Sequence, residues 1–186
     1  MHAVVSLLDK KSSRAVRSLS KELEKTLGVQ APDPHISYQG ATDYNFVKLE
    51  NNLRRFARRS HRFRVHAGGV GLFSGFTPTL YIPVVRTPEL SKFHLSLWRT
   101  ISSAASGLSP YYKIEFWVPH ITLARDIDYR KISKVISLLS RKELDLDIIV
   151  DNLAVIFYNG VTHDLRSKIP IGQSSPRLTE HDDLLE

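Results

Sequence analysis

The sequence predicts an α+β or α/β domain made of two related lobes. Three observations point there. The chain has 186 residues, 42% hydrophobic and 24% charged, as in a globular domain with one core. Short β-branched runs alternate with stretches of helical periodicity, and their order in the second half resembles that in the first. A Pro-His-Ile tripeptide followed by a hydroxyl residue occurs once in each half, as Pro34-His35-Ile36-Ser37 and Pro119-His120-Ile121-Thr122.

The elements follow in order. Ala3 to Leu8 is short, apolar and β-branched at Val4 and Val5, so it reads as a strand. Ser12 or Ser13 can cap a helix carrying Val16, Leu19, Leu23 and Leu27 on one stripe, and Gly28 closes it. Pro32 and Pro34 hold the chain extended into a strand from His35 to Gln39. Asp43 caps the next helix, with Phe46, Val47, Leu49, Leu53 and Phe56 on its inner stripe. Phe63 to Phe73 is strand-like but interrupted by Gly68, Gly69 and Gly71, and Thr79 to Val85 is the next strand. Pro88 opens a helix with Leu90, Phe93, Leu97, Trp98 and Ile101 facing inward. Gly107 to Lys113 reads as a loop, Glu115 to Arg125 as a strand and Tyr129 to Leu139 as a helix. Asp145 to Val150 and Leu153 to Tyr158 are two more strands. Residues 1–160 are taken as one bilobal domain and 161–186 as a polar tail, whose acidic end (Glu180, Asp182, Asp183, Glu186) is expected to be loose.

Composition narrows the function. There is no cysteine, which excludes a disulfide scaffold, a thiol nucleophile and a cysteine zinc site. Apolar runs are too short for a membrane-spanning helix, and Met1 to Asp9 lacks the features of a signal peptide. A cytoplasmic protein is expected, with the nucleus as an alternative in a eukaryote, and no obligate protein partner is evident. The net charge of +7 favours a polyanion as partner. Most of that excess lies between Lys48 and Arg64, where Arg54, Arg55, Arg58, Arg59, Arg62 and Arg64 join Lys48 against Glu50 alone. The guanidinium fork suits phosphate, although a solvated helix face has the same composition.

The duplicated motif carries the chemistry. Side chains at i and i+2 of a strand share a face, so His35 lies beside Ser37 and His120 beside Thr122. Ile36, Tyr38, Ile121 and Leu123 then face the core. If the lobes pack about a pseudo-twofold axis, two imidazoles and two hydroxyls line one cleft. One neutral and one protonated histidine can serve as base and acid on opposite sides of phosphorus. The hydroxyls can donate to the non-bridging oxygens, where carboxylates would repel them.

These residues resemble the two-histidine (2H) phosphoesterases, in the branch of the 2′-5′ RNA ligases and RNA 2′,3′-cyclic phosphodiesterases. Pro119-His120-Ile121-Thr122-Leu123-Ala124-Arg125 resembles the family's second motif, and His35-Ile36-Ser37 its first. Gly71-Leu72-Phe73 and Pro78-Thr79-Leu80-Tyr81 resemble its glycine-phenylalanine turn and following strand. The likeness runs from about Ala3 to Tyr158. It implies a bilobal α+β fold, each lobe with an antiparallel sheet and flanking helices around a central cleft. It implies hydrolysis of a cyclic or 2′-5′-linked phosphodiester in RNA or a nucleotide, with His35 and His120 as acid–base pair and Ser37 and Thr122 on the phosphate. It also implies that Arg125 contacts substrate. Strict alternation would put Arg125 opposite His120, so the strand must end or bulge before it.

Other residues yield less. Phe73, Phe76, Tyr81 and Tyr158 are candidates for stacking on a base, or core residues; Trp98 and Trp117 are assigned to packing. His2, His61, His66, His94, His163 and His181 have no partner at a telling spacing, so no metal and no cofactor is expected. Gly68-Gly69-Val70-Gly71 matches no phosphate loop. Two alternatives stand beside hydrolysis: ligation of 2′-5′ ends at the same site, and a non-catalytic RNA-binding protein on this fold.

Overall fold

The computed structural model describes residues 1–28, 32–76, 78–158 and 163–172. In chain order the main elements are β1 (His2–Leu7), α1 (Lys10–Leu27), β2 (His35–Tyr44), α2 (Phe46–Arg59), β3 (Phe63–Gly68), β4 (Gly71–Phe73), β5 (Thr79–Pro83), α3 (Pro88–Ile101), β6 (Ala105–Leu108), β7 (His120–Ala124), α4 (Ile132–Leu139), β8 (Asp145–Val150), β9 (Asn152–Tyr158) and β10 (His163–Pro170). It is an α+β fold with antiparallel strand pairing throughout.

One lobe is a five-stranded sheet in the order β10-β9-β1-β2-β6. Its centre is β1, where Ala3 to Ser6 are buried on both faces. The other lobe combines the pair β3-β8 with the sheet β4-β5-β7, joined by a bridge between Ala67 and Val84. The lobes are not successive halves of the chain. They interleave, and the helices cross between them: α1 leaves β1 but packs on β7 and β8, while α3 leaves β5 but packs on β2. One apolar core runs through both lobes, including Leu23 of α1, Ile36 and Tyr38 of β2, Leu53 of α2, Leu97 of α3 and Ile121 of β7. Each such side chain stabilises by roughly 1.5–3 kcal/mol when fully buried. A smaller cluster of Ala3, Val5, Ala154 and Ile156 covers the other face of the five-stranded sheet.

Local chemistry corrects several expected boundaries. Asp9, not Ser12 or Ser13, caps α1: its carboxylate accepts from the Lys11 and Ser12 amides at 3.0 Å, and Ser12 Oγ donates to it. Gly28 ends the helix with φ of 70°, a conformation that favours glycine. Asp43 does not cap α2. It sits in β2, which runs on to pair with β6, and Asn45 caps instead. Phe46 and Val47, expected on the inner stripe, are exposed in the first turn, whereas Leu49 and Leu53 are buried. The strand expected from Glu115 begins only at His120, because Pro119 has no N–H to donate to a ladder. The expected loop 107–113 begins within the edge strand β6 and continues through a 3₁₀ turn at Pro110–Tyr112. Another such turn, Tyr129–Lys131, precedes α4. The polar segment after residue 160 holds β10, which pairs with β9 and buries Ile169. The segment has the composition of a tail because this edge strand keeps most of its side chains in solvent. His181 and the acidic end lie outside the described residues.

Candidate active site

The cleft lies between the lobes. On one side β1 and β2 pair so that His35 is opposite Leu7 and Ser37 opposite Val5. On the other, β5 and β7 pair so that His120 is opposite Pro83 and Thr122 opposite Tyr81. A narrow recess is lined by His35, Ser37, Tyr112, Arg125 and Tyr158. It adjoins a cavity of about 860 Å³ lined by His120, Thr122, Phe73 and, again, Tyr112, Arg125 and Tyr158. The structure therefore brings both histidines, both hydroxyls, Arg125, Phe73 and Tyr158 to one continuous cleft. Ile36, Tyr38, Ile121 and Leu123 point away into the core.

The two histidines are held alike. His35 Nδ1 lies 2.6 Å from the Asp33 carbonyl oxygen, and His120 Nδ1 lies 2.7 Å from that of Val118. A carbonyl oxygen only accepts, so each ring carries its proton on Nδ1 and leaves Nε2 for proton exchange. In both cases the accepting carbonyl belongs to the residue before the proline. Proline forces that residue into an extended conformation, which gives the repeated dipeptide a physical reason.

Arg125 reaches the cleft because β7 is irregular. Between Leu80 and Tyr81 the register slips by one, so Thr122 to Ala124 span only two residues of β5. The strand then ends at Ala124, and Asp126 takes a left-handed φ of 54°. The Arg125 guanidinium lies over the Tyr158 ring at 5.3 Å. Its charge also acts on the two titratable rings nearby. Burial, and secondarily Arg125, hold the His120 imidazole below its ordinary 6.5, against the opposing pull of the Val118 hydrogen bond. Burial pushes the Tyr112 phenol above 10, although Arg125 and a hydrogen bond with Ser37 pull it down. His120 is thus a neutral ring at pH 7 and Tyr112 a neutral phenol.

The aromatic candidates divide. Phe73 and Tyr81 stack on each other at 4.1 Å, and each meets the His120 ring edge-to-face, at 5.0 and 5.3 Å. Tyr81 supports His120 rather than lining the cavity. A Cβ at Gly71 would collide with the Tyr81 ring, so the glycine permits the β4–β5 approach. Phe76 is fully exposed. Trp117 is buried and donates Nε1–H to the Ser37 carbonyl at 2.9 Å, as packing assignment allows, yet it also lines the cavity. Trp98 is half-buried.

Sequence reasoning missed Tyr112, Tyr111, Phe116 and Met1 in the cleft. Tyr111 and Phe116 form an exposed apolar rim. The only signal was the aromatic pair Tyr111-Tyr112 after Pro110, in a segment without periodicity; Phe116 and Met1 had none. His94 is fully buried: it stacks on Trp117 at 3.8 Å, and its Nε2 donates to the Tyr38 carbonyl at 2.9 Å. Among the described residues no group of three or more His, Asp or Glu side chains is placed to hold a metal ion, and no helix is long and apolar enough to cross a membrane.

Comparison with known proteins agrees with this architecture. A solved protein of Thermus thermophilus superposes with a TM-score of 0.64 at 16% identity, covering 91% of this chain and 97% of that one. A second, described as a phosphoesterase, gives 0.61 at 15% identity over 92% and 98%. The fold is that of the 2H phosphoesterases. In sequence, a Bacillus cereus protein named "Putative phosphoesterase" is 25% identical over 127 residues, covering 67% of this chain and 70% of that protein. A similarly named Oceanobacillus iheyensis protein is 23% identical, covering 67% and 71%. The profile of the 2′-5′ RNA ligase superfamily matches residues 8–162. The chain belongs to that superfamily.

Proposed function

We propose that the protein is a phosphodiesterase that opens a 2′,3′-cyclic phosphate, or cleaves a 2′-5′ phosphodiester, in RNA or a nucleotide. The observation that carries this reading is the matched pair of imidazoles, each with Nδ1 tied to a carbonyl, facing one cleft from opposite lobes. His120, held neutral, takes a proton from the attacking water. His35 gives a proton to the leaving ribose oxygen on the far side of phosphorus. The Ser37 and Thr122 hydroxyls donate to the non-bridging oxygens, and Arg125 offsets the charge that builds there. Phe73 and Tyr158 flank the phosphate position, where a base or ribose would lie. Both proton transfers are supplied by side chains, so the reaction asks for no metal.

The test is turnover of a nucleoside 2′,3′-cyclic phosphate in EDTA, with the product identified by phosphorus NMR. A 2′-phosphate is expected, and His35→Ala or His120→Ala is expected to slow its formation by about 10²–10⁴-fold. Turnover that survives both substitutions, or that EDTA abolishes, would refute the two-histidine scheme.

A further inference from the structure

The basic cluster on α2 has no part in the cleft, yet its side chains help to line a second concavity. Between α2 and α3 runs a groove of about 690 Å³ that shares no lining residue with the active-site cleft. Arg55 and Arg59 stand on the α2 side, Lys92 and Arg99 on the α3 side, and Glu89 is the single carboxylate among the lining residues. All four cations are exposed. Among the described residues none of the four is ion-paired; the pair on α2 is Arg54–Glu50. Arg55 is held in place nonetheless. Its guanidinium donates to Asn52 Oδ1 at 2.7 Å, and Asn52 in turn donates to the Thr100 carbonyl of α3 at 3.0 Å.

Two cations four residues apart on α2 are separated by about 6 Å along the axis, and those on α3 by about 10 Å. Arginines in the last turn of a helix complement its dipole, which would account for Arg59 on α2 and Arg99 on α3, but not for Arg55. It does not account for Lys92 near the start of α3, or for two opposed rows of unpaired charge. The floor is aromatic. Phe56 is half-buried and supplies the ring open to the groove; Phe93, which it meets at 5.2 Å, and Phe63, 5.1 Å from Phe93, are buried beneath it. Facing rows of cations over an aromatic floor are how sequence-tolerant single-strand sites hold a backbone and accept a base.

We infer that the α2–α3 groove binds the phosphodiester backbone of single-stranded RNA, as a second site apart from the cleft. The groove lies on the face of β2 that carries Tyr38, where Phe93 meets that ring at 5.4 Å, opposite to His35 and Ser37. It therefore holds the body of an RNA long enough to pass round the sheet and bring its end to the cleft, and in that respect it rests on the RNA reading proposed above. The groove selects polymer over mononucleotide, a choice the cleft alone does not make.

The experiment uses the full chain and the double variant Arg59→Gln/Arg99→Gln, two exposed positions outside the cleft. Binding of a labelled dodecaribonucleotide with a plain 3′-hydroxyl is followed by anisotropy across a salt series. Turnover is measured for a mononucleoside cyclic phosphate and for the same dodecamer ending in a cyclic phosphate. The variant is expected to bind the RNA about tenfold or more weakly, with the salt slope reduced by up to about 1.4 for two lost phosphate contacts. It is also expected to lose turnover on the dodecamer while keeping it on the mononucleotide. Wild-type affinity and slope in the variant overturn the groove, whatever the cleft does. So does an equal loss on both substrates, which would place the arginines in the cleft's own chemistry. So does an effect confined to phosphatidylserine vesicles, which would make the groove a lipid surface. If neither substrate turns over but RNA binding depends on both arginines, the catalytic reading fails and the groove stands.

Discussion

At the scale of single residues, the backbone beside the cleft fixes which ring nitrogen of each imidazole carries its proton. Both imidazoles give their Nδ1 proton to a carbonyl two residues upstream, so in each ring Nε2 is the atom that takes up or releases a proton. A base is active when neutral. In the proposed reaction, with His120 as the base, the rate is therefore expected to fall as the pH drops through the pKa of His120, which burial and then Arg125 hold below 6.5. Replacing Arg125 by Gln removes the second cause. The acid limb of the kcat/KM profile on a cyclic mononucleotide is then expected to move to higher pH, with kcat reduced by about tenfold or more through lost charge stabilisation. An acid limb that stays in place would show that Arg125 does not act on the base. Much of this was legible beforehand. Pro34-His35 and Pro119-His120 are local patterns, and what they set is local geometry. That Arg125 shares the cleft was implied by the family resemblance but not by strand alternation, because the bulge and early end of β7 depend on pairing with β5, a partner some 40 residues upstream.

At the scale of elements, the segment 110–119, expected as loop up to Lys113 and as strand from Glu115, is a strap that precedes β7. Arg86 donates to the carbonyls of Ile114 and Trp117, Trp117 donates to the backbone of β2 at Ser37, and His94 of α3 stacks beneath the indole. No periodic pattern announces such a segment; its partners are single contacts from three distant elements. His94 gives the strap a pH dependence. Burial first, and the Arg86 charge second, outweigh its hydrogen bond to Tyr38 and bring its pKa down to about 4. In the unfolded chain it titrates near 6.5. Between those values the unfolded state binds a proton that the folded state does not. Stability is thus full above pH 6.5 and declines as the pH falls towards 4, by on the order of 3 kcal/mol. His94→Gln keeps a donor for the Tyr38 carbonyl and does not titrate. Its urea midpoint is expected to change less between pH 7 and pH 4.5 than that of the wild type. An undiminished change would assign the acid sensitivity to other groups.

At the scale of the whole molecule, the interleaving of the lobes sets where the domain ends. The central strand β1 is paired on one side with β2 and on the other with β9, from opposite ends of the chain. Composition alone puts the boundary near residue 160, because hydropathy falls there. Yet sheet order is a non-local property, and an edge strand needs few apolar residues to belong to a core. β10 covers β9 from Asn152 to Tyr158 and, with the residue after it, brings Ile169 and Ile171 into the apolar core. We place residues 163–172 inside the domain. Deleting residues 163–186 uncovers these two sites and an edge of β9. The cost is roughly 3–6 kcal/mol from the isoleucines alone, at 1.5–3 kcal/mol each, which is much of the stability of a typical domain. A calorimetric melting temperature many degrees below that of the full chain is expected, together with loss of activity, because β9 carries Tyr158 to the cleft and backs the sheet from which His35 projects. A truncated protein that melts and turns over like the full chain would return the boundary to residue 160, and would mean that β1, β2 and β9 hold one wall of the active site without their edge strand.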